Sequence, residues 1–168
     1  MLSKLSVATN HFRNQPNHPF FALRHMVKSF IKVFTDASLR YGAWINSNGR
    51  HKTFAIPPAF QYSSYASEFY AAQQAIKDTA PLSNHMHLYC DNQGVYLALR
   101  NHRIGHPANH PQINHLLNSV LSFIDKNNIH LSVLHIPSDL NPADPLSHHP
   151  PNNVNLAQAD SLLNSVTQ

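Results

Sequence analysis

The chain predicts an α/β fold: a mixed five-stranded sheet, built from an antiparallel three-strand meander plus two parallel strands, flanked by helices. Three observations lead there. Between residues 31 and 56, three short runs of strand character follow one another across turn-length gaps, as in a meander. Later strand-like runs at 86–90 and 129–136 alternate with segments of helical apolar spacing, the pattern of strand–helix–strand units and parallel pairing. A length of 168 residues suits one domain able to bury a core without disulfides.

In chain order, residues 1–30 come first, with Lys4, Arg13, Arg24 and Lys28, no acid, and breaks at Pro16 and Pro19. That composition fits a leader or linker from a longer polyprotein; a mitochondrial-type transit segment is the alternative. Its second half, FFALRHMVKSF, is a candidate to pack on the domain. IKVFTD (31–36), YGAWIN (41–46) and HKTFAI (51–56) are the meander strands, with SNG at 47–49 as a hairpin turn. Core packing is expected for Tyr41, Trp44 and Phe54. PPAFQYSS ends the strand pattern. A helix follows over 65–78, where Tyr65, Phe69, Ala72 and Ile76 share one face and Ser63 or Ser64 serves as N-cap.

The strand at 86–90 leads into a helix capped by Asp91 or Asn92 and running through VYLALR. Residues 102–111, rich in Gly, Pro and His, form a loop. QINHLLNSVLSFIDKNN is the longest helix, with Ile113, Leu116, Leu117, Val120, Leu121 and Ile124 on one side. IHLSVLHI alternates as a strand, and Pro145 limits NPADPLSHH to at most a short helix. PPNN closes a domain spanning 31–149; the remainder, 150–168, is a tail that is either helical or frayed.

Composition narrows the function classes. One cysteine, Cys90, excludes an internal disulfide framework and points to a reducing compartment, cytoplasm or nucleus, with the mitochondrion following only from the transit alternative. Following an apolar run, Cys90 reads as a small buried hydrophobe. No apolar run approaches the roughly 18 residues of a membrane span, so the chain is expected to be soluble with no membrane partner. Twelve Lys and Arg against eight acids give a net charge of +4, which suits a polyanionic partner such as nucleic acid.

The acids carry the chemistry. Glu68 is the only glutamate, and with Asp36, Asp91 and Asp144 it gives the order Asp, Glu, Asp, Asp. Taken singly, Asp36 is a turn residue, Asp91 a helix cap, Glu68 a solvated helix acid and Asp144 a helix-start acid. Together, two lie at the ends of strands, one on the first helix and one on the final motif, so that folding can gather them. Four gathered carboxylates repel one another unless divalent cations hold them. Mg²⁺ is the expected ion, because it accepts a few carboxylates while keeping water and phosphate oxygens; Mn²⁺ is the alternative. Two such ions about 4 Å apart support phosphodiester displacement.

TDAS, ASEFYAA, CDNQ and NPADPLS, taken together over 31–149, resemble the motifs of a type 1 ribonuclease H domain, in the version carried by a reverse-transcribing element such as a retrotransposon or a hepadnavirus-like polymerase. The resemblance implies the ribonuclease H-like fold and a metal-dependent endonuclease cutting the RNA strand of RNA–DNA hybrids. It implies two metal ions held by Asp36, Glu68, Asp91 and Asp144: Asp36 and Asp91 anchor the ions, Glu68 completes the inner shell and Asp144 holds the second ion. Gln93 and Asn141 match places where polar groups lie near the hybrid, and Arg100 and Arg103 are the cations that lead into the His-rich loop after the fourth strand's helix.

Two departures from the cellular pattern stand out. Asp139 occupies the place of a loop histidine, while His135 lies earlier, within a strand and without an expected catalytic role. The basic helix that grips hybrids is reduced to Arg100 and Arg103, so weak hybrid binding is expected without a partner, a reverse transcriptase domain of the same element being the candidate. His102, His106, His110 and His115 suit phosphate contacts better than zinc, which prefers four well-spaced ligands. The competing functions are a non-catalytic structural or nucleic-acid-binding module of this fold and another nuclease or transposase of the same superfold.

Overall fold

A computed structural model describes residues 30–168; the expectations for residues 1–29 lie outside this range. The described elements are β1 (Ile31–Ala37), β2 (Tyr41–Asn46), β3 (His51–Ala55), α1 (Ser64–Thr79), β4 (His85–Cys90), α2 (Gln93–Asn101), α3 (Pro111–Lys126), β5 (His130–His135), α4 (Asp144–Ser147) and α5 (Leu156–Thr167). The strand order is β3-β2-β1-β4-β5. β1 pairs antiparallel with β2, and β2 with β3; β4 runs parallel to β1 on one side and to β5 on the other. This is the mixed sheet that the sequence predicts.

Alternation along β1 builds two cores. Ile31 and Val33 join a large cluster with Phe69, Ala72 and Ile76 of α1, Val95 and Leu99 of α2, and Ile113, Leu117 and Val120 of α3. Phe34, of opposite parity, joins Ala43, Ile45, Ala143 and Leu146 in a second cluster. The period-2 pattern of the strand thus decides which helices each residue meets. Residues 156–167, open between helix and frayed end in the sequence, form α5 and place Ala159 and Leu163 in the second cluster.

Local chemistry explains the boundaries. The turn after β2 uses Gly49 at φ +83°, a backbone state that suits glycine, and Asn46 Oδ1 accepts from the amides of Asn48 and Arg50. Gly42 faces Phe54 across the β2–β3 pair, and the Phe54 ring occupies the space that a side chain at 42 would need. Trp44 is buried and donates from Nε1 to Asp78 Oδ2 at 2.9 Å, while Tyr41 is only half-buried. α1 starts at N-cap Ser63, which accepts from the Ala66 amide at 3.1 Å. α2 starts at N-cap Asn92, accepting from Val95. Cys90 is buried, and burial pushes its thiol up to about 12. Among the described residues, no helix is long and apolar enough to cross a membrane.

Candidate metal centre

The carboxyl-terminal ends of β1 and β4 lie side by side, with Thr35 paired to Cys90. Asp36 is the next residue of β1, and Asp91 follows the last residue of β4. Parallel pairing therefore brings two acids together that are 55 positions apart in sequence (91 − 36). Glu68 reaches them from the second turn of α1, which packs against β1 and β2. Carboxylate oxygens of Asp36, Glu68 and Asp91 lie within 4.8 Å of one another.

Asp144 arrives from the other face of the sheet. As the first residue of α4, it joins a second group in which Asp36, Asp144 and His148 each offer a ligand atom, again within 4.8 Å. The four predicted acids, joined by His148, form two overlapping triads, with Asp36 common to both. His148 and Ser147 were absent from the sequence expectations. The signal was there: 144, 147 and 148 stand at i, i+3 and i+4, which share a face in one helical turn.

Neighbouring polar groups hold the acids in place. Ser147 Oγ donates to Asp36 Oδ2 at 2.6 Å and also lies 3.1 Å from the Asp144 carbonyl. Asn141, for which the resemblance implies a place against the hybrid, is fully buried. Its Nδ2 donates to the Thr35 carbonyl at 3.0 Å and lies 3.4 Å from Asp91 Oδ2, and its Oδ1 accepts from the Ala143 amide at 3.1 Å. It ties the final motif to the ends of β1 and β4. Replacing Asn141 by Ala removes its bonds to the Thr35 carbonyl and the Ala143 amide within a buried site, and we expect a loss of about 2 kcal/mol in urea unfolding. A loss below ~0.5 kcal/mol would show that the loop relaxes to satisfy these groups by itself.

The electrostatics are those of a site short of positive charge. Burial, then the charge of Asp91, raises Asp36 from the usual 3.8 to about 7. Glu68 is raised as well, by burial first and by Asp36 next. Glu68 Oε2 is buried with no hydrogen-bond partner among the described residues. An unpartnered buried carboxylate oxygen facing two further carboxylates fits a divalent cation, and an all-oxygen donor set fits a hard one.

The remaining predicted residues lie on the surface. Gln93 is exposed at the start of α2, and Arg100 and Arg103 are exposed at and beyond its end. Arg100 Nη1 donates to the Tyr96 hydroxyl at 2.7 Å, and its guanidinium lies 5.7 Å from the Tyr96 ring centre. Tyr96 meets His135 edge-on at 6.0 Å. His135 Nε2 is 3.1 Å from the Asp91 carbonyl, so that nitrogen carries the proton. His135, Tyr96 and Arg100 thus form a line leading outward from Asp91. Asp139 is exposed in a single 3₁₀ turn. His102 and His106 adopt left-handed backbone in the loop, and neither they, His110 nor His115 join a metal-ligating group among the described residues.

In sequence, no family profile and no curated protein matches the chain. Among solved structures it is similar to the ribonuclease H1 of the halophilic archaeon Halobacterium salinarum, with a TM-score of 0.54 and 16% identity over 68% of this chain and 91% of that one. It is similar as well to the N-terminal ribonuclease H domain of a Mycobacterium tuberculosis protein, with a TM-score of 0.55 and 12% identity over 82% of this chain and 98% of that one. A ribonuclease H1 isolated from compost gives 0.51 and 13% over 83% and 97%. Identities of 12 to 16% carry architecture alone, and together with the β3-β2-β1-β4-β5 sheet they show that the chain has the ribonuclease H-like fold.

Proposed function

We propose that this chain is a metal-dependent endonuclease that hydrolyses the RNA strand of RNA–DNA hybrids and that it derives from a reverse-transcribing element. The observation that carries the proposal is Asp36 standing in two ligand groups at once, beside Glu68 and Asp91 on one side and Asp144 on the other. One shared carboxylate between two groups suits a pair of ions, for which Mg²⁺ is the first candidate and Mn²⁺ the second. Bound there, the pair would activate a water and neutralise the leaving oxygen of a phosphodiester.

The protein's own part is positional. Ser147 aims Asp36, Asn141 holds Asp91, and His135 pins the backbone at Asp91. Arg100 and Tyr96, in line with His135, and Gln93 at the start of the same helix offer a cation, a ring and an amide to a nucleic-acid backbone. These are the contacts that 2′-hydroxyl and phosphate groups require. With Arg100 and Arg103 as the cations near this line, hybrid affinity is low unless a partner domain, a reverse transcriptase of the same element, contributes more. The NPAD segment of the last motif supports that origin.

The test is cleavage of a labelled RNA–DNA hybrid in Mg²⁺ or Mn²⁺ by the parent, Asp36→Asn and Asp91→Asn. Activity in the parent that both variants lose supports the proposal. Equal residual activity in all three marks a contaminant, and hybrid binding without cutting leaves a nucleic-acid-binding module of the same fold. Asp139→Asn should slow turnover only modestly.

A further inference from the structure

The four acids do not account for His148, whose exposed imidazole pairs with Asp144 and brings a ring nitrogen within 4.8 Å of the shared carboxylate, Asp36. The geometry points to His148 as a metal ligand that completes, with Asp36 and Asp144, a mixed carboxylate–imidazole site selective for a transition-metal ion such as Mn²⁺ over Mg²⁺. The inference rests on the proposed function and concerns the chemical identity of one of its two ions.

Three features support it. Asp144 opens α4, and His148 follows its last residue with helical backbone (φ −87°, ψ −12°), so the two side chains stand one above the other at i and i+4. His148 Nε2 lies 3.0 Å from Asp144 Oδ1, and the ligand atoms of both lie within 4.8 Å of Asp36. Atoms on opposite sides of one ion stand about 4–4.5 Å apart, so closing on an ion requires only a small movement. The backbone that presents them is anchored: Ser147 is tied to Asp36, and Leu146 and Pro145 are buried.

Independently of these contacts, the buried and unpartnered Glu68 Oε2 beside Asp36 points to cation binding at the shared carboxylate. The two groups then differ in kind. Asp36, Glu68 and Asp91 offer oxygen alone, which suits Mg²⁺; Asp36, Asp144 and His148 add a nitrogen, which suits transition metals and is a poor donor for Mg²⁺. The His148 ring is 53% exposed, so it can turn between its contact with Asp144 and an incoming ion. If His148 only paired with Asp144, it would orient that acid for any ion alike.

Mn²⁺ titration of the full chain, followed by pulsed electron spin resonance, separates these roles, because an imidazole nitrogen bound to Mn²⁺ gives a nitrogen modulation and an orienting one does not. The parent should show that modulation. His148→Ala and His148→Asn should lose it, with Mn²⁺ affinity reduced at least ~10-fold and Mg²⁺ affinity nearly unchanged; His149→Ala should keep it. Modulation that persists in the His148 variants, or equal weakening of Mn²⁺ and Mg²⁺, overturns the inference. Asp36→Asn distinguishes the levels. If it loses both ions while the His148 variants behave as the parent, only the role of His148 fails; if it binds both ions as the parent does, the two-ion nuclease fails with it.

Discussion

Asp36→Asn is expected to yield a protein that is inactive on hybrid and yet more stable than the parent when metal is absent. Both effects come from one carboxylate. Asp36 belongs to both ligand groups, so its loss should cost more than ~100-fold in cleavage, beyond what the loss of a group supporting a ligand costs. In the metal-free protein the same carboxylate is a liability: it is 3% exposed and raised to about 7 by burial first and by the charge of Asp91 next. An amide removes that repulsion while still accepting the Ser147 hydroxyl hydrogen bond.

At pH 8 in a chelator, a gain of about 1–3 kcal/mol in urea unfolding is expected for Asp36→Asn. Glu68→Gln should move the same way, since its amide can donate toward Asp36. A loss of similar size in Asp36→Asn would show that the Ser147 contact outweighs the repulsion and would remove the electrostatic case for a cation. Function held at the cost of stability is what the proposed ion site implies.

The second large effect is a pH dependence that metal offsets. Asp36 in the folded protein lies above its ordinary 3.8, so the folded state keeps a proton that the unfolded chain has released. Its contribution to stability is fully present below about pH 4 and is lost as pH rises, the loss from Asp36 being complete once pH passes about 7. Glu68, also raised, carries the loss to higher pH. Without metal, the parent should therefore fall in stability relative to Asp36→Asn between pH 4 and 8.

On the proposed function, divalent ions would compete with those protons, so their stabilisation should grow over the same interval. At an ion concentration a hundred times the dissociation constant it reaches about 2.7 kcal/mol. Melting curves from pH 4 to 8, in chelator and in saturating Mg²⁺ or Mn²⁺, measure it directly. A gap between the two conditions that stays constant with pH would place the ions away from these carboxylates.

Much of the architecture was legible because it depends on local chemistry. The alternation in IKVFTD and YGAWIN, Gly49 in the turn, the caps Ser63 and Asn92, and the apolar stripe of α3 are properties of short windows, and the structure follows them within a residue or two. α4 is the short helix expected of NPADPLSHH, although Pro145 stands in its first turn, where proline fits a helix start rather than ending it. The acids could be picked out because each ended a strand, lay on a helix or sat in a motif, although nothing local says which of them meet.

By itself, the sequence determined the order and kind of the elements and the identity of the acids. Tertiary structure alone decided that Asp36 is shared between two groups, that Asn141 is buried as a tie between the final motif and Thr35, and that His148 joins Asp36 and Asp144. Asp36 and Ser147 touch across 111 positions and Asn141 and Thr35 across 106. Local propensity ends within a few turns of helix or residues of strand. Contacts at such separations arise only when the parallel pairing of β1 with β4, and the packing of α4 against β1 and β2, bring the chain back on itself.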